Sequence, residues 1–497
     1  MLPPNHDRID MSLTRRHFLH NAGAAAIAMA AFRHLPAQAE AYARDPQYGI
    51  DKYGPLIKDP QKIIDLPAGF RYHIIARTGD PMNDGLIMPG APDGMAAFPA
   101  PGDTTRTLLV RNHELSSSWG DVDAFSGNKK QAKQVVGNKA FDFYRKGLPA
   151  NGGTTTLLYN HSSGKIERSH LSLAGTSRNC SGGATPWGSW LTCEETTYGP
   201  KQGFGKDHGF VFEVPSTATE LVAATPLTAM GRFAHEACAV DITTGIVYQT
   251  EDAGRALFYR FIPSTPGELH KGGKLQALAI RDWHSANTRN WRDDAKDPHA
   301  RPVVMREEFF CDWIDLDNVS APDADLAERG SAKGAAIFAR CEGLAFALRD
   351  TPQAAQQREL FFTATTGGNK GLGQIWRYQP GPYEGTARER EAPGKLELIY
   401  ESQDRAYLEG CDNLTIAPWG DLIMCEDSYS GERDNTNYLR GLTPQGKIYT
   451  FAMNAHKKNG EFCGACFSPD GSTLFVNIQQ PGLTLAITGP WQTRRPT

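Results

Sequence analysis

The sequence predicts an all-β fold, a six-bladed β-propeller with loop and short helical insertions, on three observations. Six times a polar, metal-capable residue opens a short apolar strand: Asp93 (DGMAAF), Cys180 (CSGGATP), Glu236 (EACAVD), Glu342 (EGLAFA), Asp412 (DNLTIAP) and Cys463 (CGACFSP). A hairpin such as TPWGSW, DITTGI, APWGDL or SPDGST usually follows, with Gly where a turn needs permissive backbone. A second strand then returns, ending at Glu114, Glu195, Asp252, Thr366, Asp427 and Gln480, so four of the six returns end in a carboxylate. Repetition of this kind marks a propeller, in which every blade points the same strand at one central channel. An acid or thiol at each channel mouth collects more carboxylates in one pocket than can ionise unaided, which calls for cations.

The internal geometry repeats more closely than the spacing of the openers. Cys180 to Glu195 and Glu236 to Glu251 are each fifteen residues, and Asp412 to Glu426 is fourteen. That interval fits a strand, a hairpin and a return strand. The openers themselves lie 87, 56, 106, 70 and 51 residues apart, and propellers absorb such differences as loops. The long gaps are 115–179, with the helical or lid-like stretch SGNKKQAKQVVGNKAFDFYRK, and 253–341, with the polar stretch HSANTRNWRDDAKDPHARP. Before the first opener, residues 40–90 read as irregular, with one strand at FRYHIIAR. The abundance of Gly (50) and Pro (32) in 497 residues suits a fold of many short strands and tight turns.

The N-terminus reads as an export signal. Thr14-Arg15-Arg16-His17-Phe18-Leu19 precedes the small, weakly apolar stretch Asn21 to Phe32, and Ala37-Gln38-Ala39 offers an A-x-A cleavage site. The stretch is too short and Ala-rich to anchor in a bilayer. The division predicted is therefore a twin-arginine signal peptide over 1–39 and a single propeller domain over 40–497, with the twin-arginine translocation machinery as partner. The mature chain is expected to be a periplasmic or secreted monomer with no membrane span. A net charge of −4 without any basic stripe excludes a nucleic-acid partner.

Carboxylates and a thiol in one pocket offer hard and soft ligands together, which suits calcium or magnesium for the oxygens and a transition metal such as iron where thiolate joins them. His113 and His235 each precede a Glu and would face the opposite way in a strand, which argues against a His-rich zinc site. No H-E-x-x-H, G-x-S-x-G or P-loop pattern is present. Arg340, two residues before Glu342, could hold a phosphate or carboxylate, or simply neutralise Glu342. Cys193, Cys425 and Cys466 lie in apolar strand patterns and read as buried thiols.

Five segments, RNCSGGATPWGSWLTCEETTYG (178–199), GRFAHEACAVD (231–241), FARCEGLAF (338–346), CDNLTIAPWGDLIMCED (411–427) and GEFCGACFSPDGSTLFVNIQQPG (460–482), together resemble the PhoX family of alkaline phosphatases. VRNHE (110–114) and the double-arginine leader match as well. The resemblance implies a six-bladed propeller that hydrolyses phosphate monoesters with ferric iron (Fe3+) and calcium (Ca2+) at one end of its channel. It places iron ligands at Cys180, Glu195, Glu236 and Glu342, and Arg340 beside the phosphate. It draws a calcium shell from acids such as Glu114, Asp412, Glu426 and Asp427. Two other readings stay open on the sequence: a calcium-dependent lactonase or esterase, which gives Cys180 no role, and a non-enzymatic exported propeller whose metals only tie its blades together.

Overall fold

The computed structural model describes residues 49–117, 122–144, 147–351, 354–428, 436–458 and 460–491; the leader read over 1–39 lies outside them. Six antiparallel blades surround one channel. Blade 1 is Pro92–Ala100, Asp103–His113, Gly152–Asn160 and Lys165–Thr176; blade 2 is Asn179–Ala184, Ser189–Glu194 and Val211–Pro215. Blade 3 is His235–Val240, Val247–Glu251, Phe258–Pro263 and Gly273–Ile280; blade 4 is Cys341–Thr351, Ala354–Ala364, Gln374–Gln379 and Lys395–Glu401. The strand Glu308–Asp315 joins the outer edges of these two blades into one sheet. Blade 5 is Cys411–Ile416, Leu422–Glu426, Tyr438–Leu442 and Ile448–Asn454, extended outward by Ile64–Pro67 and Leu56–Ile57.

Blade 6 closes the ring. Its first three strands, Phe462–Phe467, Thr473–Ile478 and Leu483–Thr488, come from the C-terminal end, and its outer strand is Arg71–Arg77, the strand expected at FRYHIIAR. All six openers head the innermost strands, and each innermost strand touches the next around the channel, the sixth returning to the first. The expected six-bladed propeller is therefore the fold observed. The first insertion carries the helix Lys129–Val136, capped by Asn128, whose side chain accepts the Gln131 N–H. The second carries a 3₁₀ turn, Arg292–Lys296, and a helix, Leu326–Ala332. Among the described residues no helix is long and apolar enough to cross a membrane.

The innermost strands come so close together that side chains are squeezed out between them. A Cβ on Gly183 would lie 2.0 Å from the Cys238 carbonyl oxygen, and one on Gly343 would lie 2.5 Å from that of Asp412. Four hydrogen bonds across blade boundaries exploit this approach. Asn112 Nδ2 donates to the Cys180 carbonyl (3.0 Å), Thr250 Oγ1 to that of Glu342 (2.6 Å), Thr363 Oγ1 to that of Asp412 (2.9 Å) and Asn477 Nδ2 to that of Asp93 (2.6 Å). Each ties one blade to the opener of the next. At the junction of blades 2 and 3 two buried thiols, Cys193 and Cys238, meet instead at 3.5 Å. All nine cysteines are buried and unbridged, as the apolar patterns around several of them predict.

Gly183→Ala should lower unfolding free energy by about 1–3 kcal/mol, the usual cost of an overpacked site. Denaturant titration of both proteins measures it, and an unchanged midpoint would mean that the blade junction can yield.

Candidate metal centre

A one-residue bulge turns the opener toward the channel in five of the six blades. In blades 1 to 5 the opener and the residue after it together face a single residue of the return strand: Asn112, Cys193, Thr250, Thr363 or Cys425. Such a bulge breaks the alternation of a strand and re-aims one side chain. In blade 6 the slip comes one residue later, so Cys463 stays in the ladder opposite Asn477. Its thiol donates to the Pro92 carbonyl (3.1 Å), away from the acids. The sixth opener is therefore a buried thiol at the blade 6–blade 1 seam.

A second repeated device pins the return strands. Two residues before each opener stand Ala91, Arg178, Ala234, Arg340, Gly410 and Glu461, and four of them have positive φ (40°, 50°, 54° and 63° for Ala91, Arg178, Arg340 and Gly410). Their carbonyls accept the N–H groups of Glu114, Glu195, Asp252, Thr365, Asp427 and Gln479, at 2.8–3.1 Å in all six blades. That bond sets the first residue beyond each return strand against its opener. The register places Thr365 and Gln479 in these positions, one residue before the ends expected at Thr366 and Gln480.

These two devices bring most of the predicted ligands together. Donor atoms of Cys180, Glu195 and Glu236 lie within 4.8 Å of one another, as do those of Asp93, Glu114 and Cys180, and those of Asp412, Asp427 and Glu461. The Cys180 thiol donates to Glu236 Oε1 (3.3 Å). Asn413 Nδ2 donates to Asp412 Oδ1 (2.7 Å) and reaches Glu236 Oε1 (3.4 Å), while Gln479 Nε2 bridges Asp93 Oδ2 (2.7 Å) and Glu114 Oε2 (2.9 Å). Glu342 lies beside Asp412 and pairs with Arg340 Nη2 at 2.6 Å.

Glu426 does not join them. Its carboxylate is filled by the Glu409 N–H (3.0 Å), the Tyr438 N–H (3.1 Å) and Arg440 Nε (2.8 Å). It is the last residue of its strand, and the acid of that return strand that joins the cluster is its neighbour Asp427. Glu194 and Glu251 occupy the same register position and are likewise consumed. Glu194 takes N–H groups from Ser177, Gly209 and Phe210 and pairs with His208; Glu251 takes Leu257 N–H and Tyr259 Oη. His113 and His235 also face away, as expected, bonded to the carbonyls of Gly90 and Gly231.

Two arginines reach over the acids from equivalent positions in blades 2 and 4. Arg340 clamps Asp252 through Nε (2.7 Å) and Nη2 (3.0 Å) besides pairing with Glu342. Arg178 reaches Glu114 through Nε (3.1 Å) and Glu195 through Nη2 (2.5 Å). Arg340 meets Glu342 through its positive φ, not through a shared strand face, since the strand begins only at Cys341. Sequence reasoning missed Arg178, although R-N-C and R-C-E place an arginine two residues before an opener in both blades. It also missed Glu461 and the bridging roles of Asn413 and Gln479. Glu461 stands two residues before Cys463, the opener whose own side chain stays out of the cluster.

The electrostatics show what the residues lack. Burial, reinforced by neighbouring carboxylates, holds Asp93, Glu195, Glu236, Glu342 and Glu461 well above the ordinary carboxylate range and Asp412 at about 7. The same burial and the surrounding acids push the Cys180 thiol upward. Asp252 is lowered instead, by the hydrogen bonds of Arg340 and Glu195 against its own burial. Asp93 Oδ1 is buried without a hydrogen-bond partner. An orphaned carboxylate oxygen within a thiol–carboxylate cluster fits a group of bound cations.

A model of the alkaline phosphatase PhoX family matches residues 51–482. Among solved structures, the chain is similar to Pseudomonas fluorescens PhoX in complex with vanadate, a transition state analogue. That likeness has a TM-score of 0.60 and 19% identity over 89% of this chain and 98% of the other. It is also similar to XC5397, a gluconolactonase from Xanthomonas campestris (TM-score 0.36, 12% identity, 89% of this chain and 99% of that one). A third likeness is to the β-propeller domain of Cps50 (Swd1) from Myceliophteria thermophila (TM-score 0.33, 12% identity, 70% and 95%). The last two scores are too low to bear on fold or function. No curated protein matches in sequence.

The raised carboxyls set the pH dependence of the chelated protein. Each prefers its proton in the folded state and ionises near 4 when unfolded. Their contribution to stability is therefore complete below about pH 4 and is lost as pH rises through the folded values, near 7 for Asp412. Thermal melts in excess chelator should show the midpoint falling from pH 5 to pH 8, and calcium should restore it. A midpoint that rises across that range would contradict the assignment.

Proposed function

This chain belongs to the PhoX family of alkaline phosphatases, and on that premise we propose that it is a periplasmic phosphomonoesterase working with iron and calcium. The observation that carries the reading is the pair Arg178 and Arg340, held at the same register position in two blades over a thiol–carboxylate pocket. Two guanidiniums above several cations suit a dianionic phosphate ester and give a lactone no partner.

In this reading Cys180, Glu195 and Glu236 hold iron, with Glu342 alongside. Asp412, Asp427 and Glu461 hold calcium, and Asp93 and Glu114, bridged by Gln479, complete the shell. The bound ions supply charge neutralisation and Lewis-acid activation at the phosphoryl group. The chain supplies alignment. Arg340 is fixed by Asp252 and Glu342, and Arg178 by Glu114 and Glu195, so neither guanidinium has to reorganise when negative charge develops on the phosphoryl oxygens. Asn413 and Gln479 keep the carboxylates they bridge in orientation, as outer partners of metal ligands do. Export in the folded state, directed by Arg15 and Arg16, completes the reading, because the pocket can then be loaded before the protein leaves the cytoplasm.

Metal analysis by mass spectrometry and turnover of a chromogenic phosphate monoester test it together. Iron with calcium-dependent turnover is the expected result; calcium without iron and no turnover would overturn it. Glu236→Gln should lose iron and activity together, whereas Arg340→Met and Arg178→Met should keep the metals and each lose about 10²-fold in kcat. Arg15→Lys with Arg16→Lys should retain the protein in the cytoplasm, as read by fractionation.

A further inference from the structure

The insertion at 284–302 lies on the same face as the arginines, and its fixed point is Trp291. Arg340 is held on both sides of its own backbone: its N–H donates to the Ala253 carbonyl (2.9 Å) and its carbonyl accepts the Thr365 N–H (2.9 Å). Trp291 rests on the next residue of each neighbour. Its Nε1 donates to the Thr366 carbonyl (2.6 Å), and its ring is so close to Gly254 that a Cβ there would touch Cη2 at 3.7 Å. The indole is therefore seated at the rim of the mouth beside Arg340.

Its surroundings hold it rigidly and leave it half-buried. The Arg289 guanidinium lies 4.1 Å from the ring centroid. That guanidinium is already engaged by the Gly254 carbonyl (2.7 Å), Asp294 Oδ1 (2.5 Å) and Asn287 Oδ1 (3.2 Å). Gly368 N–H donates to the Arg289 carbonyl (2.8 Å), and Asn290 Nδ2 donates to Glu401 Oε2 (2.6 Å), which fastens the segment to blade 4. Nothing here is arranged to take a second phosphate. What the rim offers is a preorganised aromatic surface beside the arginine that faces the phosphoryl group.

An ester bound with its phosphate on Arg340 must project its leaving group out of the mouth. We infer that Trp291 is a specificity-determining residue that stacks against aromatic leaving groups, aryl or nucleoside, and favours their phosphate monoesters over those of small polyols. The inference rests on the monoesterase reading and deepens it to a substrate class. A stacked base or aryl ring is worth on the order of tenfold or more in binding, whatever its hydrogen-bonding pattern.

The test compares kcat/KM for a nucleoside 5′-monophosphate and for glycerol 2-phosphate in metal-loaded wild type, Trp291→Ala and Trp291→Phe. The ratio of the two constants should fall about tenfold in Trp291→Ala, chiefly through KM for the nucleotide, and should persist in Trp291→Phe, which keeps a ring but loses the bond to Thr366. An unchanged ratio in Trp291→Ala, or an equal fall in both variants, would overturn the inference and make Trp291 a loop fastener. Wild-type protein that hydrolyses neither ester would overturn the monoesterase reading, and this inference with it.

Discussion

The structure depends on how closely its six innermost strands approach the channel axis. At that spacing a Cβ on Gly183 or Gly343 would collide with the backbone of the neighbouring strand. The backbone carbonyl of an opener is thereby brought within reach of the preceding blade, where an Asn or Thr satisfies it in four of the junctions. Once that carbonyl is held, the bulge beside it fixes where the opener's side chain points. The return strand is fixed in turn by its own bond to the residue two places upstream. The crowd of acids at the mouth follows from backbone requirements met six times over.

Crowding has an electrostatic cost that the protein partly meets itself. Arg178 and Arg340 each bind two carboxylates, and the lowered Asp252 is the direct product of the second arginine. Asp93, Glu195, Glu236, Glu342, Asp412 and Glu461 are left leaning toward their protonated forms by burial and mutual repulsion. A second tier of acids, Glu194, Glu251 and Glu426, sits one residue earlier in the same strands yet has its partners among backbone amides, His208, Tyr259 and Arg440. One tier is built into the scaffold and the other is offered to a ligand. The division between them is a matter of a single residue.

That single residue also explains what could be read in the sequence. The openers were legible because each combines a polar residue with an apolar strand and a Pro/Gly hairpin, a pattern that local chemistry alone produces. Arg340 was singled out by its spacing to Glu342, although a left-handed turn and not a shared strand face brings the two together. Glu426 was named beside Asp427 because an ending such as CED does not say which carboxylate continues the ladder and which leaves it; register is set by partners far away in the chain. Cys463 failed for a related reason, since its bulge slips by one place and Gly464 absorbs the turn at φ 62°. Arg178 needed the left-handed turn before the opener to be seen, and a positive φ at a non-glycine residue leaves no mark in composition or periodicity.

The strand Arg71–Arg77, contributed to blade 6 from the far end of the chain, has a consequence for the timing of assembly. Asp93 belongs to the first blade made, yet its carbonyl is held by Asn477 and its carboxylate by Gln479, from the last. The seam where blades 6 and 1 meet thus runs through the acid pocket itself. During synthesis the early acids must wait, exposed and ionised, while nearly four hundred residues are added (Asp93 to Asn477). No partial chain contains a finished pocket, so completion of the acid cluster and closure of the ring are one event.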